Sequence, residues 1–211
     1  MTNLQPFAEN DRQLAPVTWQ GGPSTGDLDY ALPRLILMQA GSPQLQSHPG
    51  VQAGQLLHSV TGEVFDAVSV CNVAAWRDYV LFRRRELGGG YVDTFKARED
   101  AEAALREMDE NPLDYEIVDT AKHLCLLLGG DSEPQPVLLF LARSQHRFSR
   151  CWNTQLQLAY PGGERWSSRW QLHPVRQQNS KGSWFTLAAS LEGVTDEATR
   201  AAAERLAATV S

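Results

Sequence analysis

Arginine and tryptophan interleave through one stretch of this 211-residue chain. Between Phe140 and Phe185 lie Arg143, Arg147, Arg150, Arg165, Arg169, Arg176 and Lys181 against one acid, Glu164. Four of the six tryptophans, Trp152, Trp166, Trp170 and Trp184, fall in the same stretch. These residue types share a chemistry. Cations track phosphates, and flat rings stack on unpaired bases for roughly 1–3 kcal/mol per base. A duplex hides its base faces, so exposed rings favour single strands.

Each candidate has a plainer role to weigh. A helix over Ser144 to Tyr160, with Ser144 as N-cap, carries Phe148, Cys151, Trp152, Leu156 and Ala159 on one apolar stripe, which makes Trp152 a core residue. Arg143, Arg147, Arg150 and Thr154 cluster on the opposite face. Three cations without an intervening acid repel one another unless an anion compensates. Trp170 shares a strand face with Leu172 and reads as core. Trp166, between Arg165 and Arg169, and Trp184, after Lys181-Gly182-Ser183, are the stacking candidates. Arg83, Arg84 and Arg85 follow a strand whose alternation puts Arg83 and Arg85 on the Tyr79 face. They extend the cationic track or guard a sheet edge against aggregation.

Enzymatic patterns are weak. His123 and Cys125 share a strand face without a nearby third ligand, which suits a buried strand better than a metal site. The acids of 93–119 read as a solvated helix surface rather than paired catalytic carboxylates. There is no nucleophile elbow, zinc-protease helix or dinucleotide loop, and Asp27 stands where a phosphate loop requires Lys. The expectation is a non-enzymatic protein without cofactor or metal.

Composition sets the outer bounds. With 42% hydrophobic and 21% charged residues, the chain is globular rather than disordered or rod-like. Its apolar runs are too short to span a bilayer, and its first thirty residues lack a secretory pattern. Three cysteines without a Cys-x-x-Cys pair suggest a reducing cytoplasm. The net charge of −6 argues against a polyanionic partner, but the signs are separated along the chain. Residues 140–185 carry +6, the rest −12, and residues 93–119 alone −7. Fields act over roughly 8–10 Å, so a basic patch can bind an anion on an acidic protein.

The elements that must position these groups are mostly strands. Residues 1–33 read as an extended arm. Strands are expected at Arg34–Gln39, Gln55–Val60, Ala67–Val73, Asp78–Arg84, His123–Leu128, Val137–Ala142, Trp166–Val175 and Ser183–Leu191. Helices are expected over 97–108, ended by Asn111-Pro112, over 144–160, and over 195–208. About eight strands and three helices without regular alternation indicate a mainly β chain with helical insertions rather than a doubly wound fold.

Pro33-Arg34-Leu35-Ile36-Leu37-Met38-Gln39, Ser42-Pro43 and Gly54 resemble the opening of a family of bacteriophage-encoded single-stranded-DNA-binding proteins. The similarity continues in 119–123, in 144–153 and in 179–185. The resemblance implies an antiparallel β-barrel of the oligonucleotide-binding (OB) type over 34–194. It would carry an acidic helical insertion at 94–116, an N-terminal arm at 1–33 and a C-terminal helix at 195–211. It implies a protein that coats single-stranded DNA in the bacterial host's cytoplasm during phage replication or recombination, alongside other proteins of those processes and with scope to oligomerise. Phosphate contacts then fall to Arg143, Arg147, Arg150, Arg165, Arg169 and Lys181, with Arg83 and Arg85 extending the track. Stacking falls to Trp166, Trp184 and Tyr79. The chain departs from the pattern in lacking an acidic C-terminal tail, for which the acidic segment could substitute. Two other readings stand beside this one: an adaptor or inhibitor of a host enzyme working through the acidic helix, and a virion structural protein.

Overall fold

The computed structural model describes residues 31–129, 133–180 and 182–210. Most of the expected N-terminal arm and Lys181 lie outside them. The described chain is mainly antiparallel β with a few helices, as patterning predicts. Strands β1 (Leu35–Leu37), β2 (Leu56–His58) and β3 (Val64–Phe65) form a three-stranded antiparallel sheet, with the short helix α1 (Gln44–Ser47) between the first two. The remaining strands are β4 (Val68–Arg83), β5 (Tyr91–Phe95), β6 (Tyr115–Leu128), β7 (Gln135–Ala142), β8 (Ser168–Asn179) and β9 (Gly182–Val194). Their order is β7-β6-β4-β8-β9, with β5 paired to β4. Helices α2 (Arg98–Glu107), α3 (His146–Ala159) and α4 (Glu197–Ala208) complete the fold. Among the described residues no helix is long and apolar enough to cross a membrane.

The chain divides into two compact units. One contains Arg77–Thr120, the other Leu32–Trp76 and Ala121–Ala208. Strand β4 passes from one to the other after Trp76 and β6 after Thr120. The two strands expected at Ala67–Val73 and Asp78–Arg84 are thus one, because the Ala74–Arg77 stretch, which shows little apolar alternation, continues in the ladder. The Gly88-Gly89-Gly90 run lies in the hairpin leading into β5, where Tyr79 pairs with Phe95 and Val80 with Thr94.

The core of the larger unit gathers alternate residues of β4 (Val68, Val70), β6 (Ala121, Cys125, Leu127), β7 (Val137, Leu139, Leu141) and β8 (Trp170, Leu172) under the apolar stripe of α3 (Phe148, Trp152, Leu156). The stripe positions recur at four-residue intervals, which one helix face requires. Cys151, expected on that stripe, is exposed instead.

Among the described residues the sheets do not close into a barrel by backbone ladders. Two glutamine amides take the place of a ladder at the outer edge of β9. Gln39 donates from Nε2 to the Phe185 carbonyl at 2.9 Å and accepts from the Phe185 N–H at 2.9 Å. Gln145 donates to the same carbonyl at 2.8 Å and accepts from the Leu187 N–H at 3.3 Å. These bonds orient the 185 and 187 backbone groups away from β8. Pro174, opposite Leu187, therefore turns its nitrogen to the other edge of β8. The β4 pairing stops at Leu172 on that edge, so the missing N–H costs no ladder bond.

Gly54 makes the same contact possible. Its φ is +93°, and a Cβ there would lie 2.6 Å from the Phe185 ring. Both the left-handed backbone and the ring require glycine. Gly54→Ala should cost about 2 kcal/mol or more in urea unfolding; an unchanged midpoint would show that Phe185 does not pack there.

Candidate nucleic-acid interface

The densest set of predicted contacts surrounds α3. The helix does not start where Ser144 would cap it. Residues Arg143–Gln145 form a 3-10 turn, Arg143 takes a left-handed φ of +54°, and Ser144 is exposed. Gln145 occupies the N-cap position but makes no side-chain cap bond, since its amide is committed to β9. The turn brings Arg143 to the start of a helix whose first turn holds no acid.

Arg147 and Arg150 project from the exposed face of α3, and among the described residues no carboxylate pairs with either. Cations in the first turns oppose the helix dipole, at a cost of about 0.3–1 kcal/mol each. An anion would reverse that sign. Arg143 is exposed as well, with a contact of its own.

Arg165 differs from the sequence-based picture of a free surface cation. It is half-buried, donating from Nε to Asn72 Oδ1 and from Nη2 to Asn153 Oδ1, both at 2.7 Å. Asn72 is fully buried; its Nδ2 lies 2.9 Å from His123 Nδ1, and His123 Nε2 lies 2.8 Å from Ser149 Oγ. His123 stacks on Trp152 with centroids 5.1 Å apart, and Trp152 on Phe148 at 5.5 Å. A polar chain thus ties the 3-10 turn Arg165–Ser167 through β4 and β6 to α3. Cys125 is buried on the same strand as His123.

Burial, and secondarily the Arg165 charge, pushes His123 down to about 3, so it is neutral in the fold. The unfolded chain takes up this proton below about pH 6.5 and the folded chain does not, so stability falls as pH drops from 6.5 toward 3. The slope from this group reaches at most about 1.4 kcal/mol per pH unit. His123→Gln should flatten the decline of Tm between pH 7 and 5, leaving the contribution of buried His58, which desolvation also shifts down. An equally steep decline in the variant would contradict this assignment.

The other candidates are distributed as follows. Trp152 and Trp170 are buried, and Trp170 Nε1 donates to Ser168 Oγ at 2.7 Å. Trp166 and Trp184 are half-buried, and the Trp184 Nε1 is buried without a partner. Arg169 is exposed and paired with Glu192 at 3.1 Å. Such an exposed pair contributes little and can exchange partners.

Tyr79, Arg83 and Arg85 belong to the smaller unit. Tyr79 is half-buried and both arginines are exposed. The ring pair at this hairpin is Phe82 with Tyr91, edge to face at 6.3 Å, with Tyr91 37% exposed. Arg84, beside them, is exposed. The sequence reading placed Arg84 in the Arg83–Arg85 cluster and assigned stacking to Tyr79 rather than to Phe82 or Tyr91. The available signal was a short run of β-favouring residues, Tyr91, Val92, Thr94 and Phe95, directly after three glycines.

Among the described residues no group of three or more His, Cys, Asp or Glu side chains is arranged to hold a metal ion. A family model described as Pam3 phage gp34-like protein matches residues 9–211. The chain belongs to the Pam3 phage gp34-like family. The family name supports the phage origin that the resemblance implied and says nothing of a ligand. No curated protein and no solved structure matches the chain at a significant level.

Proposed function

We propose that this member of the Pam3 phage gp34-like family binds single-stranded DNA without acting on it chemically. The observation that carries the reading is the exposed face of α3. Arg147 and Arg150 stand there with no carboxylate partner among the described residues, in a chain whose net charge is −6. Unpaired cations kept together on an acidic protein are explained by a polyanion. The half-buried rings of Trp166 and Trp184 in one unit, and of Phe82 beside the exposed Tyr91 in the other, are the candidate stacking surfaces. Contacts to phosphates and π-faces make binding tolerant of sequence and sensitive to salt.

The reading includes an opened OB-like arrangement. Residues 34–39 reach both outer strands of the sheet order. Arg34 bridges to Leu138 of β7 in parallel, and Gln39 clamps Phe185 of β9. Phage replication or recombination proteins are the partners this function would bring. A host-enzyme adaptor remains the second reading, supported by the exposed acids Glu99, Asp100 and Glu107 of α2.

The test is intrinsic tryptophan fluorescence during titration with poly-dT, at low and high salt, with a duplex control. Quenching by the single strand that weakens with salt and is smaller with duplex is expected. No response from folded protein at low salt would overturn the reading.

A further inference from the structure

Arg165 is a half-buried cation held by two side-chain hydrogen bonds in the larger unit. Its guanidinium carries five N–H donors, two of which form the side fork made by Nε and Nη2. That fork is used, one donor to Asn72 and one to Asn153. Both acceptors are neutral amides, and the next group along, His123, bonds Asn72. Among the described residues no carboxylate pairs with this half-buried charge, although Glu164 precedes it in sequence. Of the remaining three donors, one N–H of Nη1 and one of Nη2 form the end fork.

A half-buried guanidinium is costly unless paired. Here the neutral cradle fixes its orientation without neutralising it. The end fork matches two oxygens of a phosphate. Asn153 lies three residues after Arg150 on α3, so the cradle borders the exposed arginine face.

We propose that Arg165 is a preorganised phosphate-binding residue, whose free end fork receives one phosphate group while Asn72 and Asn153 hold its side fork. The inference deepens the reading above by naming a phosphate position whose side chain is held by two hydrogen bonds. It rests on that reading for the phosphate to be a phosphodiester of a strand; a free phosphate is the other source of the same chemistry.

Two variants of the full-length chain test it. Asn153→Asp places a carboxylate against the side fork with little change in shape, neutralising Arg165 where it stands. Arg165→Lys keeps the charge and removes the fork. The probes are inorganic pyrophosphate, read by thermal shift, and a dT oligonucleotide, read by fluorescence anisotropy across a salt series. Pyrophosphate should raise the wild-type Tm. Asn153→Asp should unfold no earlier than wild type without ligand, lose the pyrophosphate shift and bind dT about tenfold more weakly, the equivalent of one charge-assisted hydrogen bond. Its salt slope should fall by about 0.7, as for one phosphate lost from a single strand. Arg165→Lys should lose affinity too, and if it fails to fold, Asn153→Asp decides alone.

A pyrophosphate shift that Asn153→Asp abolishes, with no dT binding by wild type, would uphold the anion site and overturn the strand as its source. Binding of dT that Asn153→Asp leaves unchanged in affinity and salt slope would overturn the inference and spare the DNA reading. Absence of any pyrophosphate shift in wild type, with dT affinity equal in wild type and Asn153→Asp, would likewise overturn it.

Discussion

Reversing the charge at Arg147 and Arg150 should weaken poly-dT binding by about a hundredfold or more at low salt. Two phosphate contacts would be lost and two repulsions added. For a single strand, the slope of log K against log salt should fall by about 1.4. The fold should not suffer. Both side chains are exposed, and surface changes of this kind usually stay within about 0.5 kcal/mol. A glutamate at 147 even suits the helix dipole, since it stands in the first turn of α3. Anisotropy with labelled poly-dT, together with a thermal melt, measures both quantities. An affinity unchanged in the double variant would remove the basis of the DNA reading, while retained binding to a protein partner would favour the adaptor.

Trp152→Ala should produce the largest stability loss, about 3–5 kcal/mol. The side chain is fully buried in the core of the larger unit, between Phe148 and the ring of His123. Removing it would leave a cavity and free the imidazole that orients Asn72, so the Arg165 cradle should loosen with it. Trp152→Phe should cost far less, because the Trp152 Nε1 has no hydrogen-bond partner to lose and phenylalanine buries no orphan donor. Urea unfolding of the two variants separates the terms. Equal losses would mean that the indole N–H, not ring packing, holds this position.

Much of the local structure was legible in the residues. The i, i+4, i+8 spacing of Phe148, Trp152 and Leu156 specifies a helix with one buried face, and both α3 and the burial of Trp152 follow from it. Period-two apolar runs mark the strands, because alternate side chains share a face. The expected span 97–108 matches α2 to within a residue at each end, whereas Asn111-Pro112 do not end that helix but cap the 3-10 turn Pro112–Asp114 that follows it. The separation of charge along the chain follows from the order of its residues, and the exposure of Arg147 and Arg150 from their helical angle opposite the apolar stripe.

Tertiary structure decided what pairs with what. Arg165 reads in sequence as one more surface cation. Its tie to Asn72 and Asn153, 93 and 12 residues away, depends on strand order, which no local spacing encodes. Cys151 fits the apolar stripe by helical angle, yet the core extends only as far as Phe148, Trp152 and Leu156 reach. Strand β4 joins two segments across Ala74–Arg77, where the intrinsic strand signal is weak. The β9 edge is covered by Gln39 and Gln145, two side chains that polarity alone would place in water. Local pattern determines which residues bury and which stay exposed, because it follows from the period of each element. The partners of a buried polar group depend on loop closures over tens of residues, and only the assembled fold decides those.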